Sequence, residues 1–313
     1  MNAIRVEGLD KSYGAVRALD SLDLEVEADT VFGFLGPNGA GKTTTIRILT
    51  GLAHPSAGRA QVAGVEVGAG NELLARAIGH LPEEPAFYSW MSPVEFLDYV
   101  GRLFGLTGAE RKTRTQELLA LVGLTEDAKR RIGGFSRGMR QRLGIAQALV
   151  NRPQVIFLDE PASALDPAGR RDVLELISVL KGQATVFMSS HILADVARVC
   201  DTVGIIDAGK MLTVAPLEAL LDRYALPVFE IEGLPGGDAE VQAWADGLAG
   251  LSWIDSVNVE AHTARVHVND PERARFGLLT SISEAGLAVN RFEAARPSLE
   301  DIFLRLVGEE KEP

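Results

Sequence analysis

The chain has 313 residues, of which 46% are apolar, and its formal net charge at pH 7 is −12. This apolar share can build a sizeable core and argues against disorder over most of the chain, and the length allows more than one domain. An acidic chain without a basic block argues against a nucleic-acid partner, because nucleic-acid phosphates require clustered Lys and Arg.

The sequence shows no targeting or membrane-spanning segment. The first seven residues alternate like a β-strand and lack the charged-then-apolar pattern of a signal peptide. No apolar stretch approaches the roughly 20 residues that a helix needs to span a bilayer. The single cysteine, Cys200, excludes an internal disulfide and fits a reducing compartment, where we expect it to be a small buried residue. We therefore expect a cytoplasmic protein that reaches a membrane only through a partner.

The first two thirds of the chain alternate short β-rich runs with helical stretches. Continuous apolar runs at 30–35, 154–158 and 184–188 are typical of strands in a sheet that is covered on both faces. Residues 95–124 predict two helices with a break at 105–108. The sequence therefore predicts an α/β domain with a parallel sheet over residues 1–223, including a helical subdomain at about 86–150.

A second, more acidic domain is predicted over residues 224–313. After a seam at 224–227, the pattern predicts elements in the order strand, helix, strand, strand, helix, strand, followed by a short helix at 299–306. That order matches a small ferredoxin-like α+β domain.

A phosphate-binding loop lies between an apolar strand and a helical stretch. Its sequence fits G-x-x-x-x-G-K-[ST], and the candidate nucleotide-binding residues are Gly36, Pro37, Asn38, Gly39, Ala40, Gly41, Lys42, Thr43 and Thr44. The glycines let backbone N–H groups surround phosphate oxygens at a helix N-terminus, where anions are favoured. Lys42 is placed to reach the β- and γ-phosphates of ATP, and the Thr43 hydroxyl to ligate Mg²⁺.

Two carboxylates follow the predicted strand at 155–158. The carboxyl ends of strands in α/β sheets are where such folds place their chemistry. Asp159 is a candidate to hold Mg²⁺, and Glu160 a candidate base that polarises the attacking water.

Four further motifs narrow the interpretation. They are Phe135 to Arg142 (FSRGMRQR), Ser163 to Asp166 (SALD), Ser189 to His191 (SSH) and Tyr13-Gly14. In order and spacing they resemble the signature motif, the D-loop, the switch histidine and the adenine-stacking loop of ATP-binding cassette (ABC) ATPases. The resemblance covers about residues 4–221. The C-terminal third further resembles a bacterial subgroup that includes drug-export and sodium-export ATPases.

The resemblance implies roles for residues outside the phosphate loop. Tyr13 would stack on adenine, and His191 would act in catalysis with Lys42 and Glu160. Two copies would close head-to-tail on two ATP molecules, so that Ser136 and the backbone around Gly138 of one copy meet the γ-phosphate held by Lys42 of the other. Asp166, in the D-loop, is a further candidate nucleotide-binding residue. The remaining histidines are expected to be structural, namely His54, His80, His262 and His267.

The sequence departs from the family pattern at two places. The signature motif usually reads L-S-G-G-Q, but Phe135, Arg137 and Met139 replace three of its positions. The loop that carries Glu83 usually has glutamine there, as a Mg²⁺ ligand and sensor. An ionised carboxylate can still accept from Mg²⁺ or its water shell, but it donates nothing.

The resemblance also implies separate membrane-spanning permease subunits as partners, with this chain peripheral on the inner face of the membrane. The aromatic stretch 86–93 could be the docking surface for such a subunit, or it could pack locally against the next helices. Two other functions stay open at this point. One is a cassette that acts on ribosomes or nucleic acid, and the other is a regulator that switches by binding nucleotide without turnover.

Overall fold

The computed structural model of the chain describes residues 2–68, 70–223, 228–248, 250–295, 299–300, 302–303 and 306. The chain forms two compact units, one of residues 1–217 with 306–313 and one of residues 218–305. The predicted boundary after residue 223 is the end of helix α8 (Leu217–Arg223). The two units divide earlier, at the start of that helix. The predicted helix at 299–306 is helical at the residues described there, while 301, 304 and 305 lie outside them.

A six-stranded sheet forms the centre of the first unit. Five strands run parallel, and the sixth pairs antiparallel at one edge, in the order β10-β9-β3-β8-β7-β6. The strands are β3 (Val31–Leu35), β6 (Ile78–Leu81), β7 (Val155–Leu158), β8 (Thr185–Ser190), β9 (Thr202–Asp207) and β10 (Lys210–Pro216). Every residue of β3, β7 and β8 is buried, as the continuous apolar runs predict for strands covered on both faces.

Large rings and close glycine contacts hold this sheet against its helices. The Phe187 ring lies 5.3 Å from that of Phe32 and 5.5 Å from that of Phe157 between ring centroids. A Cβ on Gly33 would stand 2.5 Å from a methyl group of Val196, so helix packing here requires glycine. The tight fit positions the carboxyl ends of the strands with little freedom.

The first unit also contains a second sheet, of four antiparallel strands. The sequence did not predict it as a separate sheet. Its order is β2-β1-β4-β5, formed by β1 (Asn2–Tyr13), β2 (Val16–Glu27), β4 (Ala57–Val62) and β5 (Val65–Glu66). In β2 the residues Leu22, Leu24 and Val26 are buried while their neighbours are exposed. This alternation is typical of a strand with one face on the core.

Seven α-helices complete the described part of the first unit before residue 217. They are α1 (Lys42–Leu49), α2 (Glu72–Ala77), α3 (Pro93–Leu103), α4 (Gly108–Leu121), α5 (Arg137–Ala148), α6 (Pro167–Leu180) and α7 (Leu193–Val199). Capping boxes begin α3 at Ser92 and α4 at Thr107, each with a glutamate three residues on, which confirms the predicted pair of helices. Within the described residues, none of the helices is long and apolar enough to cross a bilayer.

The second unit has the predicted ferredoxin-like fold. Its strands β11 (Val228–Gly233), β12 (Ile254–Glu260), β13 (Thr263–Val268) and β14 (Val289–Ala295) pair antiparallel in the order β12-β13-β11-β14. Helices α9 (Asp238–Gly247) and α10 (Pro271–Ala285) contribute Trp244, Leu278 and Ile282 to a core shared with the sheet. The Trp244 indole N–H donates to Ser281 Oγ at 3.1 Å and so ties the two helices together.

Gly79 in β6 offers a test of this packing. A Cβ at this position would stand 2.1 Å from the Ala148 carbonyl oxygen, whereas nothing lies within 4 Å of a Cβ added to Gly68. We expect Gly79→Ala to lower the free energy of unfolding by about 1–3 kcal/mol through overpacking. Gly68→Ala should change it by no more than about 0.5 kcal/mol. Urea unfolding of both variants measures the difference, and equal effects would contradict the packing described for β6.

Candidate nucleotide-binding site

The phosphate loop occupies the turn from β3 into α1. Gly41 precedes the helix with a φ of 112°, a conformation that suits glycine. A Cβ on Gly36 would lie 2.4 Å from the Ile206 carbonyl oxygen, so the loop can pass this close to β9 only with glycine. Ala40 fixes the loop from both sides, since its N–H donates to Pro37 O at 3.2 Å and its carbonyl accepts from Gly209 N at 3.0 Å. The predicted strand, loop and helix are therefore present.

The Lys42 ammonium group is buried at the start of α1, with 6% of the residue exposed. Its Nζ donates to the Gly36 carbonyl oxygen at 2.7 Å and to that of Pro37 at 3.3 Å. It also lies 3.5 Å from Oε1 of Glu160. A buried charge needs such partners, and each of them is a group that a bound anion could replace.

The acidic pair follows β7 and is almost wholly enclosed, with 4% of Asp159 and 8% of Glu160 exposed. Thr43 Oγ1 is 3.4 Å from Asp159 Oδ1, which links the start of α1 to the end of β7. The Ser189 hydroxyl donates to the same Oδ1 at 2.6 Å and accepts from the backbone N–H of Glu160 at 2.9 Å. The sequence identified Ser189 only as part of the SSH motif and did not predict its hydrogen bonds with Asp159 and Glu160.

His191 comes directly after β8 and contacts the second oxygen of Glu160. Its Nδ1 is 2.8 Å from Oε2, and its backbone N–H donates to the same oxygen at 3.4 Å. With an ionised carboxylate as acceptor, Nδ1 carries the proton. Each oxygen of Glu160 thus has a different partner, Lys42 on one side and His191 on the other.

His80 on β6 behaves differently from His191. Burial lowers the pKa of His80 below its usual value, while the nearby Asp159 charge opposes this effect. The imidazole is therefore neutral at physiological pH, in keeping with the structural role predicted for it.

These groups surround a cavity of about 380 Å³. It is lined by Ala18, Pro37, Asn38, Gly39, Gly41, Lys42, Thr43, Thr44, Glu83, Glu160, Ser163 and His191. Most of the residues predicted from the phosphate loop and the acidic pair therefore meet at one place. Ala18 was not predicted as a site residue, because an alanine on the neighbouring strand β2 carries no recognisable signal.

A second set of predicted residues does not line this cavity. Ser136 precedes α5, where its Oγ accepts from Met139 N at 3.2 Å, and Asp166 precedes α6. A Cβ on Gly138 would lie 3.7 Å from Gly169 Cα, and one on Gly169 would lie 2.8 Å from Asp166 Oδ1, so the starts of α5 and α6 are neighbours. Tyr13 is also outside the cavity lining, 48% exposed, with the Lys11 ammonium 4.8 Å from its ring centroid.

The donor set fits Mg²⁺ better than a transition metal. The Thr43 hydroxyl and an Asp159 carboxylate oxygen lie together, and Glu83 lines the same cavity as Thr43. Within the described residues, no group of three or more His, Cys, Asp or Glu side chains could hold a metal by itself. Mg²⁺ does not need one, because it is usually bound by one or two carboxylates together with water and substrate phosphates.

Two family models match the sequence. The model described as "ABC transporter" matches residues 19–163, which include the phosphate loop and the acidic pair. The model described as "ATP-binding protein DrrA1-3-like, C-terminal domain" matches residues 216–307. The first model therefore matches part of the first compact unit, and the second matches the whole range of the second unit.

Several curated proteins are similar over almost the whole chain. An uncharacterised ABC transporter ATP-binding protein of Bacillus subtilis (strain 168) is 39% identical over 97% of this chain and 99% of its own length. A daunorubicin resistance ATP-binding protein of Streptomyces coeruleorubidus is 36% identical, over 99% and 96%. A bacitracin transport ATP-binding protein of Bacillus licheniformis is 34% identical, over 97% of both.

Solved structures agree with these relatives. An ATP-binding subunit of an ABC transporter is 30% identical and covers 71% of this chain and 93% of its own, with a TM-score of 0.64. A dimeric ATP-binding cassette bound to ADP and Pi, at 22% identity and a TM-score of 0.62, shares the fold over 68% of this chain and 98% of its own. The chain therefore belongs to the ABC transporter family, as an ATP-binding subunit and ATPase.

Proposed function

We propose that this subunit powers export through separate membrane-spanning subunits, and that ATP is hydrolysed between two copies of the chain. The observation that carries the proposal is the division of the predicted site residues into two sets. One set surrounds the cavity beside Lys42, and the other lies at the starts of α5 and α6, away from the cavity lining. A second copy that presents Ser136 and Gly138 to the cavity would complete the site.

The phosphates of ATP enter the loop at 36–41. Backbone N–H groups of the loop and the N-terminus of α1 bind the phosphate oxygens, and the helix dipole favours their charge. Lys42 Nζ exchanges the carbonyl oxygens of Gly36 and Pro37 for phosphate oxygens, which are stronger acceptors because they are charged.

Glu160 is the base in this proposal. Its carboxylate orients the attacking water and accepts its proton, while the hydrogen bond from His191 Nδ1 fixes the carboxylate in place. The His191 ring, with 44% of the side chain exposed, also has a free edge for the γ-phosphate.

Thr43, Asp159 and Glu83 are the residues that would hold Mg²⁺ beside the phosphates. Bound there, Mg²⁺ would neutralise phosphate charge that develops during transfer. Lys42 and the loop N–H groups share that task, because they too are aimed at the phosphate oxygens.

The adenine ring would stack on Tyr13. Tyr13 is the last residue of β1, directly before a two-residue turn, and about half of it is open to solvent. The Lys11 ammonium group covers one face of the ring, which leaves the other for a base.

A hydrophobic groove on the helical subdomain is the proposed contact with a membrane-spanning subunit. The groove has a volume of about 580 Å³ and is lined by Ala86, Phe87, Tyr88, Phe96, Tyr99, Val100, Leu103, Phe104 and Gln147. Phe87 packs against Phe96 at 5.1 Å, so local packing accounts for part of the aromatic stretch. Tyr88, Trp90 and Leu103 remain exposed, which suits a groove that accepts an amphipathic helix. Docking there would place the chain at the inner face of the membrane.

Export is favoured by the relatives. Their names include daunorubicin resistance, bacitracin transport and Nod factor export proteins. A cassette that acts on ribosomes or nucleic acid receives no support from them. A regulator without turnover does not fit a family of transport ATPases.

The proposed base, Glu160, can be tested by a single substitution. Glu160→Gln keeps the size of the side chain but cannot accept the proton, so turnover should fall about 10²–10⁴-fold. ATP affinity should stay close to that of the unaltered protein. Phosphate release and equilibrium nucleotide binding, both measured with the membrane subunit present, test this. Glu84→Gln, on the same loop as Glu83 but outside the cavity lining, is the control. Unchanged turnover in Glu160→Gln would contradict the assignment.

The proposed docking groove on the helical subdomain can be tested in the same way. Leu103 on α3 and Leu73 on α2 are equally exposed, at 68% and 67%, but only Leu103 lines the groove. Leu103→Asp should weaken co-purification with the membrane-spanning subunit by about tenfold or more, because a charge replaces an apolar anchor. Leu73→Asp should leave it unchanged. Equal effects of the two variants would argue against docking at this groove.

A further inference from the structure

Ser189 is a fully buried hydroxyl group at the carboxyl end of β8, with no exposed surface. It is two residues before His191 and lies between the two acidic residues of the site. Its Oγ donates to Asp159 Oδ1 at 2.6 Å and accepts from the backbone N–H of Glu160 at 2.9 Å. One side-chain oxygen therefore contacts both members of the acidic pair.

The contact with Glu160 holds an unusual backbone conformation. Glu160 has a φ of 48°, in the left-handed region that non-glycine residues rarely adopt. Its N–H is enclosed by the sheet and has Ser189 Oγ as its acceptor. Without that acceptor, a buried donor would be left unpaired, and the turn that aims the Glu160 carboxylate would lose a restraint.

The contact with Asp159 fixes the direction of its carboxylate. Oδ1 accepts from Ser189 and lies 3.4 Å from Thr43 Oγ1. Within the part of the chain that the structure describes, no hydrogen bond uses Oδ2. The Ser189 bond thus orients the carboxylate by one oxygen and leaves the other for a different ligand.

We propose that Ser189 is a positioning residue that sets Asp159 for metal binding and Glu160 for catalysis at the same time. The proposal rests on the roles given to these two residues under the proposed function. Ser189 is fully buried and does not line the cavity beside Lys42, so it would touch neither nucleotide nor metal itself. It acts through the carboxylates in the way that hydrogen-bonded neighbours of metal ligands generally do.

Ser190 supplies a matched control in the next position of the same strand. It is also buried, at 3% exposure, but its hydroxyl bonds only locally. Its Oγ accepts from Ile192 N at 2.9 Å and donates to Ile192 O at 3.3 Å. Ser190→Ala therefore removes the same buried group as Ser189→Ala without a contact to either carboxylate.

The test measures metal binding apart from turnover. The full-length chain is saturated with a non-hydrolysable ATP analogue and titrated with Mn²⁺, a paramagnetic substitute for Mg²⁺, while electron paramagnetic resonance reports the free ion. Ser189→Ala should raise the Mn²⁺ concentration at half-saturation about 10-fold or more. Nucleotide binding without metal should be unchanged, and so should both properties in Ser190→Ala. In the assembled transporter, kcat of Ser189→Ala should fall about 10- to 100-fold with little change in KM.

An unchanged Mn²⁺ midpoint in Ser189→Ala, in a variant with the melting temperature of the unaltered protein, would overturn the proposal. An equal shift in Ser190→Ala would also overturn it, because the effect would then be general to the strand. Asp159→Asn separates this failure from that of the proposed function. If Asp159→Asn shifts the midpoint and Ser189→Ala does not, the metal assignment stands and only the role of Ser189 fails.

Discussion

The Lys42 ammonium group is buried beside the nearly buried carboxylate of Glu160, and the site depends on how these two charges are satisfied. Two backbone carbonyl oxygens and one carboxylate oxygen surround Nζ, while His191 takes the other carboxylate oxygen. Buried charges are unfavourable unless each is paired and hydrogen-bonded. The cluster is therefore stable only as a whole. Any anion that enters must replace these partners with ones at least as strong, and the phosphates of a nucleotide can do so.

The parallel sheet is what makes this cluster possible. Leu35 at the end of β3 pairs with Ser190 of β8, and Leu158 at the end of β7 pairs with Met188. The phosphate loop, the acidic pair and His191 thus leave adjacent strands at the same edge, although they are far apart in the chain. Full burial of the three strands on both faces fixes that edge. Ser189 is part of the same arrangement. It lies near the end of the buried strand β8, where its hydroxyl contacts the carboxylate of Asp159, the residue directly after the neighbouring strand β7.

The site residues predicted for the first unit lie in two separate sets. Ser136 caps α5, and Asp166 directly precedes the adjacent helix α6. Neither lines the cavity beside Lys42. Under the proposed function, this division would couple chemistry to association, because a site completed by a second subunit can act only when the two copies meet. A subunit that moves a membrane partner needs this kind of coupling.

The sequence alone determined the phosphate loop, the acidic pair, the pair of helices within residues 95–124, and the order of elements in the ferredoxin-like second unit. These features are local, because glycine spacing, strand ends and hydrophobic periodicity are written in consecutive residues. Only the tertiary structure decided that β1, β2, β4 and β5 form a separate sheet. The same holds for the position of Ala18 in the cavity lining and for the hydrogen bonds by which Ser189 joins Asp159 to Glu160. The reason is that these facts depend on which strands become neighbours. A buried serine hydroxyl has no signature in the sequence until a partner strand brings a carboxylate within 2.6 Å of it.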